Sequence, residues 1–194
     1  MAHKKMLTVY SVAHAVVDFS CAFLVYRTML DEPLLALCLL LYNFCAFALQ
    51  MPFGLLADGW NRNGIVAVAG CAAVALAYLP FLPAIAGAVI AGIGNGLFHV
   101  GGGLDVLNDS RQKSAALGIF VSPGAFGLYL GGILGWGVKM PYLLPVLLLI
   151  LMGTLILLTA RHTYHGLQSL NAPTEIKATK QDIILAALKQ RNAL

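Results

Sequence analysis

The chain has 194 residues, 60 % of them hydrophobic and only 10 % charged, with a mean hydropathy of +0.84. A water-soluble domain carries about a quarter of its residues charged, so 12 basic and 8 acidic side chains cannot cover a core of this size, and a soluble globular fold is excluded. An all-α membrane protein with several spans remains. The net charge of +4 is modest, and the basic residues sit in short clusters between apolar runs, which argues against a nucleic-acid partner and reads as a topology signal.

Dividing the sequence at charges, Pro and Gly predicts six spans at about 6–29, 34–56, 65–82, 84–103, 115–137 and 141–160. The first is read as an uncleaved helix and not a signal peptide, because the apolar stretch runs on to Tyr26 past the small-residue triplet at Ala13 to Ala15. The connections at 30–33, 58–64, 80–83, 105–114 and 138–141 are short and force antiparallel neighbours. With a cytoplasmic N-terminus, Lys4, Lys5, Arg62, Arg111, Lys113, Arg161, Lys177, Lys180, Lys189 and Arg191 fall inside, and only Arg27 and Lys139 outside. This bias places both termini in the cytoplasm, with the chain as a multi-pass protein of the cell's inner or plasma membrane. Cys21, Cys38, Cys45 and Cys71 all lie in apolar runs and read as small buried hydrophobes. Neither a cofactor nor a resident metal is expected.

The domain division is therefore 1–160, a six-helix transmembrane domain, and 161–194, a cytoplasmic tail. In the tail Ile176, Ile183, Ile184, Ala187 and Leu188 share one face of a short amphipathic helix. That helix reads as a surface element, with an inter-subunit or lipid contact through Lys177, Lys180 and Lys189 as the alternative.

Polar side chains are costly in lipid, so their distribution shows which helices face a protected interior. Helix 1 carries His14 and Asp18, helix 2 Asn43 and Gln50, helix 4 Asn95 and His99, and helix 5 Ser122 and Tyr129. Helices 3 and 6 carry almost nothing polar and read as lipid-facing or peripheral. His14 and Asp18 are four residues apart and share a face, as do Asn95 and His99, so the two pairs can meet at one depth. The functional reading is a protonatable or cation-binding cluster; the plain alternative is an inter-helix hydrogen-bond clamp. Gly92, Gly94, Gly96 and Gly101 to Gly103 on helix 4, with Gly118, Gly124, Gly127, Gly131 and Gly132 on helix 5, allow close helix approach. Pro123 adds a kink. No strand precedes these glycines and no P-loop lysine follows, so a nucleotide loop is not read here, and no HExxH, Ser-His pair or cofactor signature points to an enzyme.

The run Gln50-Met51-Pro52-Phe53-Gly54 leading to Asp58, with Arg62 in the following loop, resembles the helix 2–3 signature of the major facilitator superfamily. His14 and Asp18 on helix 1, with Phe98-His99 after Gly92 and Gly94, resemble its fosmidomycin-resistance branch. Gly124, Gly127, Gly131 and Gly132 are similar to the glycine motif of drug-proton antiporters. The likeness spans roughly residues 6–160; it departs where only Arg62 remains of the loop's usual three basic positions and where Gly101 and Gly102 stand for polar residues. The family has twelve helices in two parallel six-helix repeats. The resemblance therefore implies a half-transporter, with two copies pairing in the same orientation as a homodimer; the alternatives are pairing with a different half, or a piece of a longer transporter. It implies proton-coupled export of a small solute by alternating access. Asp18 would carry the proton with His14 and His99; Asn43, Gln50, Asn95, Ser122 and Tyr129 would line the solute cavity. Asp58 and Arg62 would gate, and Gly124, Gly127, Gly131 and Gly132 would form the sliding contact. A non-transporting membrane subunit that scaffolds or regulates a partner is the rival reading.

Overall fold

The structure, a computed structural model, describes residues 2–60, 62–137 and 140–170, with side-chain surroundings up to Ala160. The chain divides into two units, Met1–Arg161 and His162–Leu194. The predicted tail helix lies outside the described residues.

The described elements are all helical. α1 spans Ala2–Leu24 and runs on through a π-helical turn, Val25–Met29. α2 spans Leu35–Trp60 and contains a second π-helical segment, Phe44–Ala48. α3 is Asn63–Leu76, α4 Ala84–Asp109, α5 Ser114–Gly137 and α6 Leu143–Leu170. Five of them (α1, α2, α4, α5 and α6) are long and apolar enough to cross a membrane, the architecture of a multi-pass membrane protein.

Several boundaries differ from those read in the sequence. α3 stops at Leu76, short of the predicted 82, because Pro80 disfavours helical geometry at Leu79 and Pro83 starts α4 from an extended backbone. With 14 residues it is about 21 Å long, less than the ~30 Å hydrocarbon thickness, so the predicted span 65–82 is not a helix of crossing length. α4 continues to Asp109, past the predicted end at 103, since Leu104, Val106 and Leu107 extend its apolar pattern. α6 likewise runs beyond the predicted 160.

α1 is the most buried of the long helices, and α2 and α5 are the least. Tyr10, Val17 and Cys21 of α1 share a core with Cys71 and Val74 of α3, Phe98 of α4, Phe120 of α5 and Leu149 and Ile156 of α6. All four cysteines are buried and unbridged. Close helix contact at α4 rests on missing side chains: a Cβ on Gly92 would lie 2.8 Å from the Cys45 Cβ, and one on Gly94 2.7 Å from the Val74 backbone nitrogen. α3, expected at the periphery, thus gives one full face to α4.

The break in α2 has a covalent cause. Pro52 has no N–H to offer the Ala48 carbonyl, and its ring crowds that oxygen. The regular pattern resumes only with the Phe53 amide donating to Leu49 at 3.0 Å, and the distortion is taken up by the π segment just before it.

Asp105, placed by the sequence in a loop, lies within α4. The buried Tyr10 hydroxyl donates to its Oδ2 at 2.5 Å, and Asn63 at the start of α3 is a second hydrogen-bond partner. Three helices are joined there. Tyr10→Phe keeps the ring packed but deprives a half-buried carboxylate of a donor. It is expected to cost about 2 kcal/mol, read as a lowered melting temperature in detergent.

Candidate functional site

Pro123 shapes the site as Pro52 shapes α2. It lies inside α5 and deprives the Ile119 carbonyl, four residues earlier, of its helical partner. α1 supplies the replacement: the Ser11 hydroxyl donates to Ile119 O at 3.3 Å. One turn along α1, His14 Nδ1 lies 2.9 Å from the neighbouring Phe120 carbonyl. A carbonyl only accepts, so Nδ1 carries a proton, and in the neutral ring Nε2 keeps its lone pair. Ser11→Ala is expected to cost about 1 kcal/mol in the natural chain and close to nothing beside Pro123→Ala, which restores the amide. A double-mutant cycle on thermal stability measures the difference.

Around His14 the polar groups converge. Its Nε2 lies 3.1 Å from Asp18 Oδ2. The other carboxylate oxygen, Oδ1, accepts from Asn95 Nδ2 at 3.0 Å. His99 Nδ1 is tied to the Asn95 carbonyl at 2.9 Å, which fixes that proton in the same way. The His14 and His99 rings meet edge-on with centroids 4.4 Å apart, and Phe98 and Phe120 pack against His14. His14, Asp18 and Asn95 are buried, and His99 is half-buried. One donor atom from each of His14, Asp18 and His99 lies within 4.8 Å of the others. The sequence anticipated His14 with Asp18 and Asn95 with His99 as pairs, and assigned no metal to them.

The cluster forms the wall of a cavity of about 550 Å³, lined also by Tyr42, Asn43, Phe47, Gly118, Val121, Ser122, Ala125 and Leu128. Of the predicted cavity residues, Asn43, Asn95 and Ser122 are there; Gln50 and Tyr129 are not among its lining. The Gln50 amide donates to Ala46 O at 2.8 Å, and Tyr129 is 64 % exposed on the outer flank of α5. Asn43 and Ser122 give their donors to their own helix, to Leu39 O at 2.8 Å and Gly118 O at 2.6 Å. Ser11 and Tyr42 were missed. Ser11 was legible from the proline 112 positions downstream only once the helices were paired.

The predicted gate is open to solvent: Asp58 and Arg62 are both exposed, and among the described residues no ion pair joins them. Of the predicted glycine contact, Gly124, Gly127 and Gly131 face α1 at close range, whereas a Cβ on Gly132 would meet only the Tyr26 ring, at an ordinary 3.5 Å.

The electrostatics of the His14–Asp18 pair set its chemistry. With Nδ1–H directed to Phe120 O, His14 Nε2 and Asp18 Oδ2 face each other at 3.1 Å. The pair is relieved by one positive charge between them. Comparison with models of known families, with curated proteins and with solved structures finds no match for the chain.

Proposed function

We propose that the chain is a secondary active transporter of the major facilitator type, exporting a small solute in exchange for protons. The observation that carries this reading is the His14–Asp18–His99 cluster, buried among apolar helices and opening on a cavity: an exchangeable charge in a membrane interior marks an ion pathway. α1 and α4 hold the cluster, and the π segment of α2 and the Pro123 kink of α5 put irregular backbone beside the cavity, where helices that move are usually weakened.

The second half is supplied by another copy in the same orientation. The two least buried long helices, α2 and α5, flank the cavity with exposed Phe47, Val121 and Leu128. A partner seated there closes the cavity and shields Asn43 and Ser122 from lipid. The ten-to-two split of basic residues supports a cytoplasmic location for both ends of the transmembrane domain, which requires the short α3, Asn63–Leu76, and the segment after it to complete a sixth crossing beside the five long helices. Asp58 and Arg62 then stand at the cytoplasmic rim, positioned to meet the partner when that side closes.

Proton flux in proteoliposomes made with the purified full chain tests the reading. Counterflow of protons driven by a solute gradient, together with cross-linking between single cysteines near Arg62 of two copies, is the expected result. Vesicles that stay impermeable with the chain correctly inserted, or a strict monomer in nanodiscs, would favour a non-transporting subunit.

A further inference from the structure

We propose that the cavity's cargo is a first-row divalent transition-metal ion, bound by Nε2 of His14, a carboxylate oxygen of Asp18 and Nε2 of His99. This rests on the transport reading for the ion's being cargo; the binding site itself stands on geometry.

First, three ligand atoms of the kinds such metals favour, two imidazole nitrogens and one carboxylate oxygen, lie within 4.8 Å of one another. Metal–ligand bonds of about 2.1 Å spanning the 3.1 Å between His14 Nε2 and Asp18 Oδ2 enclose an angle of about 95° at the ion. That is the angle between adjacent ligands of an octahedron. The His99 ligand atom, within 4.8 Å of the other two, has to close to about 3 Å from each by rotation of its half-buried side chain to complete one face as the third ligand, and the other positions open to the cavity for water. Two His and one carboxylate on a face is a recurrent arrangement for divalent iron and its neighbours.

Second, the ligands are already oriented. A metal-binding histidine donates its other N–H to a carbonyl or carboxylate, which fixes the tautomer and aims the lone pair. Both histidines do so here, His14 to Phe120 O and His99 to Asn95 O, each at 2.9 Å. Asp18 is held the same way, by the Asn95 amide at 3.0 Å. Asn95 therefore supports two of the three ligands, one through its side chain and one through its backbone.

Third, the polar groups meet at a point instead of spreading over the wall. An organic solute with several donors and acceptors needs partners spaced across the cavity. Here the remaining surface includes Phe47, Val121, Ala125 and Leu128 beside Tyr42, and Asn43 and Ser122 each direct one donor to their own helix. A point charge meets this convergence more fully than a flexible organic molecule does. Three ligands with open positions also let the ion leave, as cargo must, whereas a closed four-ligand shell would retain it.

The test uses the full chain in detergent, stripped with chelator, with His3, His162 and His165 replaced by Gln so that only His14 and His99 remain as imidazoles. Titration with Co²⁺, followed by its visible absorption and by calorimetry, is expected to show one ion per chain in a nitrogen and oxygen environment. His99→Gln and His14→Gln should each weaken binding by about 100-fold. Since His14 is buried and its variant can misfold, half-buried His99 is the decisive position. Thr154→Ala on α6 should leave binding unchanged. Absence of Co²⁺ binding, or binding unaltered in both histidine variants, would overturn the site. Binding without Co²⁺ or Mn²⁺ flux in proteoliposomes that still exchange protons for another solute would remove the cargo assignment. A loss of all flux with binding intact would instead sink the transport reading.

Discussion

Replacing Asp18 by Asn is expected to abolish proton-coupled flux while leaving the fold in place. The reason lies in the two hydrogen bonds of the carboxylate. The carboxamide oxygen still accepts from Asn95 Nδ2, so the 3.0 Å link from α4 to α1 is kept. The carboxamide N–H₂ points at His14 Nε2 across the 3.1 Å gap and donates to it permanently. The variant thus mimics the pair with its cation in place and cannot release it: the stabilising contact survives and the exchange does not. Melting temperature should stay within a few degrees of the natural chain, and gradient-driven flux should fall to the level of empty vesicles. Co²⁺ affinity should fall with it, since an anionic ligand becomes a neutral one. Flux persisting at the natural rate would show that Asp18 is only a clamp between α1 and α4.

The pairing at the centre of the site was readable because it follows from helical spacing alone. His14 and Asp18 are one turn apart, Asn95 and His99 are one turn apart, and both pairs occupy the middle of long apolar runs, so a common depth follows from the rise per residue. Their tautomers were not readable. These depend on which carbonyls face each ring, and the Phe120 carbonyl belongs to a helix more than a hundred positions away.

Gln50 shows where periodicity misleads. Seven residues after Asn43, it would share one face of a regular helix, and the family resemblance put both in the cavity. The π-helical segment Phe44–Ala48 lies between them and inserts an extra residue into the turn, rotating everything beyond it. Gln50 turns back toward its own chain. Pro52, the cause of that segment, was in view, but a proline signals a disruption without saying whether the helix kinks, frays or bulges. Asp105 was missed for a related reason: three consecutive glycines suggested that helix 4 ended at 103, whereas in α4 Gly101 and Gly102 are packing positions. A Cβ on Gly101 would lie 3.0 Å from the Ala67 Cα and one on Gly102 3.1 Å from the Phe120 ring.

The glycines of α5 should separate by position in the same way, with large stability losses at two of them. A Cβ on Gly127 would lie 3.0 Å from the Ala15 Cα and closer still to the Ala15 carbonyl; one on Gly131 would lie 2.9 Å from the Ala22 Cβ and closer to the Phe19 carbonyl. Backbone cannot rotate away as a side-chain tip can, so Gly127→Ala and Gly131→Ala must push α5 off α1. Overpacking of this kind costs about 1–3 kcal/mol, and each variant should show it as a lowered melting temperature with reduced flux. Gly132→Ala is the control, because its neighbour is the edge of the Tyr26 ring at 3.5 Å; it should be neutral in both measurements. Gly124→Ala is different again. Its new methyl would lie 2.5 Å from both His14 Nε2 and Asp18 Oδ2, against the gap proposed for the cation, so it displaces the site's own atoms instead of the helix. Flux and Co²⁺ binding should be lost in that variant with a smaller fall in melting temperature than at Gly127. If Gly124→Ala melted as low as Gly127→Ala and kept its Co²⁺ affinity, the glycine would be a packing position alone, and the ligand geometry assigned to His14 and Asp18 would be wrong.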